Sequence, residues 1–360
     1  MYRGLLRPVL FALSPSAAHA VALAALGLAE HIAPVRAIVR GLVAPPDDPR
    51  IHVRAMGLDF ASPVGLAAGF DKNASRARAM AALGFGHLEL GTVTARPQGA
   101  NPRPNMFRLP ADRALVNRLG FPNDGAERVA ARLASVRAAV RVPVGISIGK
   151  SRAVAATDLQ AVIADYGESL RWVSSAADFV VVNVSSPNTV GLRGLQARES
   201  ALELLRTLQR GAPAARILVK VAPDLSEGDL EEILSVVEET AIAGVVAANT
   251  TMGREGLSTA DRRVRAIGAG GLSGPPLRSR AVEIVRRARA RLGRDVVIIG
   301  VGGIERAEHV VALMRAGANL VQMYTGLIYE GPGAPARIAR ELVQMVVGAG
   351  ARDLAELVRA

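Results

Sequence analysis

The sequence contains no cysteine and few aromatic residues. The absence of cysteine excludes structural disulfides, thiolate metal sites and a cysteine nucleophile. Half of the residues are hydrophobic but only 3% are aromatic, so the core must be built mainly from alanine, valine, leucine and isoleucine, which suits an α/β protein. The five histidines show no metal-ligand spacing, so we expect no metal site; they are His19, His31, His52, His87 and His309.

Acidic residues are too few to balance the basic ones, and the formal net charge is +12. Such a charge favours nucleic acid or an anionic membrane surface as a partner. Because the chain has few rings to stack on bases and no recognised nucleic-acid motif, we expect no nucleic-acid partner. The densest basic stretch, 278–294, has helical spacing and is interpreted as a solvated helix face.

Lysine is scarce, since only three of the 44 basic residues are lysine. A lysine carries a compact ammonium group, which differs from the planar fork of arginine in the ligands that it suits. The three lysines are therefore candidate functional residues: Lys72, Lys150 and Lys220.

Eight short apolar runs alternate with stretches of helical period. This alternation over about 260 residues predicts a (β/α)8 barrel, a TIM barrel, rather than an open doubly wound sheet. The helical stretches are 124–139, 157–174, 198–210, 227–240, 277–292 and 305–316, and the connections 93–123 and 251–276 are expected to pass over one face. The predicted strands are 63–69, 88–92, 143–149, 179–184, 217–222, 244–249, 296–301 and 319–324.

Residues 1–45 lack the barrel pattern and are predicted to form a helical extension, with the catalytic barrel over 46–360. The uncharged stretch 11–29 also suits a membrane span or a signal peptide. Ser14-Pro15 interrupts this stretch and charged residues follow it closely. The interpretation that we favour is a pair of amphipathic helices lying on a membrane surface.

Polar residues gather where the predicted strands end, and barrel chemistry occurs at those ends. The segment 183–188 reads Asn-Val-Ser-Ser-Pro-Asn directly after a buried apolar run, and all three lysines fall at or just past a strand end. The last two strands lead into glycine turns at 300–303 and 324–326, and "GAGGLSG" occupies 268–274. Glycine turns before helices bind phosphate, so we expect a phosphorylated cofactor.

Ten segments, in order and with matching spacing, resemble the membrane-associated, quinone-dependent (class 2) dihydroorotate dehydrogenases. Single segments are weakly specific, but the ten together cover nearly the whole chain. They are "GLAAGFDKN" 65–73, "ELGTVTARPQ" 89–98, "PRPNMFRL" 102–109, "NRLGFPNDG" 117–125, "NVSSPNTVGLR" 183–193, "VKVAPDLS" 219–226, "ANTT" 248–251, "GGLSGPPL" 270–277, "IIGVGGI" 298–304 and "VQMYTGLIYEGP" 321–332.

The resemblance implies that dihydroorotate is oxidised to orotate in pyrimidine biosynthesis, with FMN as hydride acceptor and a membrane quinone as final acceptor. It makes Ser186 the base that removes the C5 proton; class 1 enzymes have cysteine there. A free serine hydroxyl is a poor base and needs help to accept a proton. The family also implies a peripheral protein on the cytoplasmic face of the bacterial inner membrane, which we expect to be monomeric.

Residue roles follow from the same resemblance. It implies quinone contacts at His19 and Arg108, and substrate contacts at Lys72, Asn117, Arg118, Leu119, Gly120, Phe121, Asn183, Asn188, Asn249 and Thr250. The implied FMN contacts are Ala68, Gly69, Phe70, Asp71, Lys72, Thr92, Ser147, Asn183, Lys220, Ala248, Gly271, Gly302, Gly303, Tyr324 and Thr325. Ser147 and Ala248 depart from the family, which usually has asparagine and a hydroxyl residue there.

Two alternative functions remain at this point. Another FMN barrel, such as a class 1-like dihydroorotate dehydrogenase or a tRNA dihydrouridine synthase, has a similar fold; the tRNA enzyme predicts a cysteine acid and a C-terminal helical RNA-binding domain. A basic, membrane-associated binding module leaves the polar strand ends and glycine turns without a role. Flavin absorbance and bleaching by dihydroorotate distinguish the three.

Overall fold

The computed structural model describes residues 2–43, 45 and 47–359, and its centre is a closed barrel of eight parallel strands. In barrel order these strands are β3, β4, β7, β8, β9, β10, β12 and β13, so each pairs with its neighbour along the chain. The predicted (β/α)8 barrel is confirmed. The strands are β1 Val53–Ala55, β2 Leu58–Phe60, β3 Val64–Leu66, β4 His87–Val93, β5 Met106–Leu109, β6 Ala114–Asn117, β7 Val144–Ile148, β8 Phe179–Asn183, β9 Ile217–Val221, β10 Gly244–Ala247, β11 Gly271–Ser273, β12 Val297–Val301 and β13 Leu320–Met323.

The helices that surround the barrel are amphipathic. In α7, residues Ala201, Leu204, Leu205 and Leu208 are buried, which is the spacing of one helical face. The helices are α1 Arg7–Ala12, α2 Pro15–His31, α3 Ala33–Val43, α4 Ala77–Ala81, α5 Ala126–Val136, α6 Leu159–Val173, α7 Arg198–Gly211, α8 Glu227–Thr240, α9 Asp261–Ile267, α10 Arg278–Arg291, α11 Ala307–Arg315, α12 Thr325–Glu330, α13 Ala334–Gly348 and α14 Leu354–Arg359.

The two long connections meet in a small antiparallel sheet that the sequence did not predict. Strands β5 and β6 come from the first connection, and β11 comes from the second. In this sheet Gly271 pairs with Asn117, so segments more than 150 residues apart in the chain meet at one register. The predicted excursions therefore join into one wall above the barrel's C-terminal face.

His87 lies in the lower part of the barrel interior, enclosed by aromatic rings. Its ring meets Phe60 of the β1–β2 hairpin edge to face at 5.5 Å and Phe179 at 6.4 Å. No space remains beside it on β3, because a Cβ built on Gly65 falls 2.2 Å from the imidazole Nε2. Neither ring nitrogen has a hydrogen-bond partner within the described chain, and burial lowers the His87 pKa to about 3.

Acid is expected to destabilise the fold through His87. The His87 pKa is 6.5 in the unfolded chain and about 3 in the folded protein. The folded state therefore has its full stability above pH 6.5, and it loses stability as pH falls toward 3 because protons bind the unfolded chain first. Between pH 7 and pH 5 this one group lowers the free energy of unfolding by about 2 kcal/mol. Urea titrations at both pH values measure the loss, which should shrink in His87→Phe and persist in His31→Gln, a change at an exposed residue.

The extension 2–43 packs on the barrel through a few long-range polar contacts. The Glu30 carboxylate, buried at the end of α2, accepts from Arg78 Nε at 2.8 Å and from the Ala79 amide at 2.9 Å. Arg76 donates to the Leu23 carbonyl at 2.8 Å. In the described part of the chain no single helix is long and apolar enough to cross a membrane. Helices α2 and α3, which are bent by 112° relative to each other, have sufficient length and apolar composition only when taken together. The predicted domain boundary falls at Pro46, outside the described residues.

Candidate functional site

A cleft at the C-terminal ends of the barrel strands collects most of the residues proposed from the sequence. It contains about 930 Å³ of space free of protein atoms, part of which is open solvent. The predicted residues that line it are Ala68, Gly69, Lys72, Thr92, Asn117, Leu119, Gly120, Phe121, Asn183, Ser186, Asn188, Lys220, Ala248, Asn249, Thr250, Gly302, Gly303, Tyr324 and Thr325.

Ser186 lies in the loop after β8, almost fully buried at the cleft wall. Its Oγ accepts a hydrogen bond from the backbone amide of Asn188 at 3.3 Å, and this is the one hydrogen bond that the described residues give this hydroxyl. No carboxylate or imidazole in that part of the chain hydrogen-bonds to Ser186. The hydroxyl is therefore available to a ligand but has no neighbouring base in the protein.

Side-chain amides and hydroxyls form a connected network around Ser186. Asn183 donates to Thr92 Oγ1 at 3.0 Å, and its Oδ1 accepts from the Ser185 amide at 3.2 Å and from Asn249 at 3.4 Å. Asn188, in the loop after β8, donates to Asn117 Oδ1 at 3.3 Å. Each such amide offers both a donor and an acceptor, so the network suits a planar ligand edged with amide groups.

Two of the three lysines reach the cleft. Lys72 donates to the Gly69 carbonyl at 3.0 Å, and its pKa is lowered to about 8, first by burial and then by the positive charge of Lys220. Lys220 lies 3.4 Å from Glu89 Oε1 in the barrel interior. Lys150 lies outside the cleft lining and donates to the carbonyls of Ser151, at 3.1 Å, and Val154; a structural role accounts for it.

At the other end of the cleft, glycine turns and hydroxyls replace the amides. Gly302 and Gly303 have φ angles of 153° and 67°, which side chains rarely allow, and a Cβ on Gly303 would lie 2.9 Å from Arg278 Cβ. Ser273 and Thr325 join their hydroxyls at 2.8 Å. Exposed backbone amides and hydroxyls of this kind bind phosphate. With the buried Lys220 ammonium beyond these groups, the donor set fits a flavin nucleotide, whose phosphate Gly302, Gly303, Ser273 and Thr325 would hold.

Five of the residues proposed to contact substrate or FMN lie outside the cleft lining. The Arg118 guanidinium donates to the carbonyls of Ile267 and Ala269, at 2.6 and 2.8 Å, and lies over the Phe107 ring. Asp71 accepts from three backbone amides of the turn that follows it. Ser147 bonds to Thr92 Oγ1 at 2.9 Å, and Gly271 packs against Thr250. Phe70 faces a second cavity. Direct contacts of these five residues with substrate or FMN stay predictions.

Sequence reasoning missed three polar residues here. Gln322 on β13 lines the cleft, is fully buried, and has no partner for either amide atom within the described chain. Ser273 completes the hydroxyl pair, and Glu89 pairs with Lys220. A single polar residue inside the apolar runs "LELG" and "LVQM" was the available signal, because a fully buried strand rarely carries one without a partner.

A second, apolar cavity lies between the extension and the barrel and contains about 1420 Å³ of space free of protein atoms, part of which is open solvent. Both predicted quinone residues line it, and Tyr324 borders this cavity and the cleft alike. His19 meets Phe70 edge to face at 5.3 Å, and burial followed by Lys72 lowers its pKa to about 4. Arg108 donates to the Leu10 carbonyl at 3.2 Å and to Leu13, and its guanidinium lies 4.5 Å from the Phe11 ring centre.

The family profile described as "Dihydroorotate dehydrogenase" matches residues 50–346. A dihydroorotate dehydrogenase (quinone) of Rhodococcus opacus is 49% identical over 360 residues, covering 100% of this chain and 99% of the relative. That of Thermobifida fusca is 46% identical, covering 99% and 96%. These relatives include the extension as well as the barrel.

Solved structures agree with the sequence matches. The crystal structure of DHODH from Eimeria tenella in complex with ferulenol superposes with a TM-score of 0.85 at 32% identity, covering 96% of this chain and 95% of that one. The ligand-free form gives 0.84 at 33%. The expected resemblance is thus confirmed over the barrel and the extension together: the chain belongs to the quinone-dependent class of the dihydroorotate dehydrogenase family.

Proposed function

We propose that this protein oxidises dihydroorotate to orotate with FMN as its flavin and passes the electrons to a membrane quinone. The observation that carries the proposal is one cleft joining a buried serine, four asparagines and two lysines to a glycine phosphate cradle. Tyr324 separates that cleft from a large apolar cavity under the extension. A polar reaction site and an apolar acceptor site thus share one wall.

Substrate recognition follows from matching polar groups. Dihydroorotate has an edge of ring amides and one carboxylate, so asparagine side chains pair with the edge and an ammonium with the acid. Two hydrogen-bonded pairs of asparagines are available for this edge, Asn117 with Asn188 and Asn183 with Asn249. The Lys72 ammonium pairs with the carboxylate of dihydroorotate, and the segment 117–121 covers the ring.

Oxidation removes a proton from C5 and a hydride from C6. Ser186 Oγ takes the C5 proton as its own hydroxyl proton passes to water in the solvent-open cleft. The backbone amide of Asn188 donates to that oxygen and stabilises the negative charge that the oxygen carries between the two transfers. When bound, FMN supplies the hydride acceptor. Lys220 gives the interior a positive charge that favours the reduced flavin, which carries more negative charge.

The apolar cavity is proposed to receive the quinone. Its lining has few polar groups; His19 is uncharged at neutral pH because its pKa is about 4, and Arg108 is the charged group. Most of the exposed large apolar side chains of the described chain belong to the extension, including Leu5, Val9 and Leu42. An apolar surface of this kind suits peripheral attachment to a membrane, which we place on the cytoplasmic face, with the protein as a monomer.

The deciding experiment is an anaerobic titration of the purified protein with dihydroorotate. We expect a yellow protein with FMN absorbance that bleaches with one equivalent of dihydroorotate and regains colour on addition of a ubiquinone or menaquinone analogue. Colourless protein, or FMN that stays oxidised in excess dihydroorotate, would contradict the proposal. Recovery of colour with fumarate or NAD alone would contradict the quinone step.

Orotate binding should weaken in alkaline solution. The carboxylate of orotate favours the charged form of Lys72, whose pKa in the free protein is about 8. Above that pH the lysine must take up a proton before it can pair with the ligand, so the dissociation constant should rise toward about tenfold per pH unit. Titration of the flavin spectrum with orotate between pH 6 and 10 measures this; Lys72→Met should bind weakly with no slope near pH 8.

A further inference from the structure

Glu89 is a buried carboxylate in the barrel interior to which the proposed reaction gives no role. It lies on β4 and is fully buried, as are its neighbours Leu88 and Leu90, which join the core outside the barrel. Because side chains alternate along a strand, Glu89 faces the barrel axis. One of its oxygens lies 3.4 Å from Lys220 Nζ; the other has no partner within the described chain.

The Glu89–Lys220 pair spans the inside of the barrel. Lys220 lies on β9, and strands β7 and β8 separate β9 from β4 in the barrel. The two side chains therefore meet across the interior, directly below the cleft that Lys220 lines. Both are at least 95% buried, so water screens their charges weakly.

The local charges do not balance. Lys72 and Lys220 both line the cleft, and the positive charge of Lys220 acts on Lys72. The negative charge of Asp71 also acts on Lys72, but the Asp71 carboxylate already accepts hydrogen bonds from backbone amides. Gln322, another buried polar side chain that lines the cleft, is neutral. Among the described residues, Glu89 is therefore the one carboxylate in contact with Lys220.

We propose that Glu89 is a positioning residue that holds the Lys220 ammonium in place and moderates its charge, and that it thereby sets the reduction potential of the flavin. This inference rests on the proposed function, because it places the flavin in the cleft above Lys220. A flavin gains negative charge on reduction, so loss of the Glu89 charge favours the reduced form. The effect acts through Lys220 and disappears without it.

The test compares Glu89→Gln, Lys220→Met and the double variant with the wild type. The midpoint potential of the bound flavin is measured by equilibration with reference dyes under dithionite, without dihydroorotate. We expect Glu89→Gln to shift the ratio of reduced to oxidised flavin at least tenfold toward reduced, about 30 mV for a two-electron couple. In the Lys220→Met background the same change should shift the ratio less than threefold.

Glu30→Gln is the matched control, since Glu30 is also a buried carboxylate with a basic partner but lies outside the cleft. Its flavin potential should equal that of the wild type. If Glu89→Gln does not accumulate, Glu89→Asp retracts the carboxylate by one methylene and should shift the ratio the same way, by a smaller factor. A wild-type potential in the Glu89 variants, or an equal shift with and without Lys220, overturns the inference. Colourless wild-type protein would instead refute the proposed function.

Discussion

Replacing Ser186 with alanine is expected to slow anaerobic flavin reduction by dihydroorotate by about 10²–10⁴-fold, the usual contribution of a positioned base. The change removes a hydroxyl that lines the cleft beside the asparagines and has no side-chain hydrogen-bond partner among the described residues. Stopped-flow absorbance of the flavin measures the rate directly. FMN should remain bound, because Ser186 lies at the amide end of the cleft, away from the glycine cradle.

Thr189→Ala is the control for Ser186→Ala, since Thr189 belongs to the same loop but does not line the cleft. It should reduce at nearly the wild-type rate. Orotate binding, followed by the flavin spectrum, separates loss of chemistry from loss of the site and should change by less than about tenfold in Ser186→Ala. A Ser186→Ala rate within tenfold of wild type, with substrate bound, would remove the serine from its role as base.

The barrel could be predicted from the sequence because its strands are continuous apolar runs. The predicted strand 179–184 is observed as Phe179–Asn183, and 217–222 as Ile217–Val221. Strands that are buried on both faces favour β-branched residues and show no alternation of polar and apolar residues. Stretches with the helical period of apolar residues separate these strands. The small sheet of β5, β6 and β11 escaped prediction because no stretch of helical period separates β5 from β6 to mark them as strands, and β6 pairs with a strand more than 150 residues away.

The candidate site could be predicted where polar residues follow a strand, and less well where they lie inside one. Asn183, Ser186 and Lys220 interrupt or end apolar runs and were singled out. Glu89 and Gln322 also interrupt apolar runs, but a single polar residue in a strand does not show which face it occupies. Only closure of the barrel turns both residues toward the interior.

Arg108 shows a further limit of sequence reasoning. It lines the apolar cavity as expected, but its guanidinium also binds carbonyls at the end of α1 and covers the Phe11 ring. Those contacts attach the extension to the small sheet, so Arg108 has a structural role whether or not it meets a quinone. The family motif around Arg108 cannot separate the two roles, because the partner carbonyls lie almost 100 residues earlier in the chain.

Deleting residues 1–45 is expected to lower quinone reduction at least tenfold and to abolish binding to lipid vesicles, while dihydroorotate still reduces the flavin. The extension supplies one whole wall of the apolar cavity, including Phe11, His19 and Ala22, and most of the exposed large apolar side chains. The cleft is lined by barrel residues and the small sheet alone. Steady-state turnover with a ubiquinone analogue, beside single-turnover flavin reduction, measures the two halves separately.

A point variant distinguishes a blocked cavity from a generally weakened protein. Ala22→Phe places a ring on the α2 face that lines the cavity, whereas Ala24→Phe places the same ring on an exposed face of the same helix. Because the added ring occupies cavity space, we expect Ala22→Phe to lower kcat/KM for the quinone about tenfold or more, a loss of roughly 1.4 kcal/mol of transition-state stabilisation. Flavin reduction should stay unchanged in both variants, and Ala24→Phe should keep normal quinone turnover. Equal quinone turnover in the two variants would mean that electrons leave the flavin by a route other than this cavity.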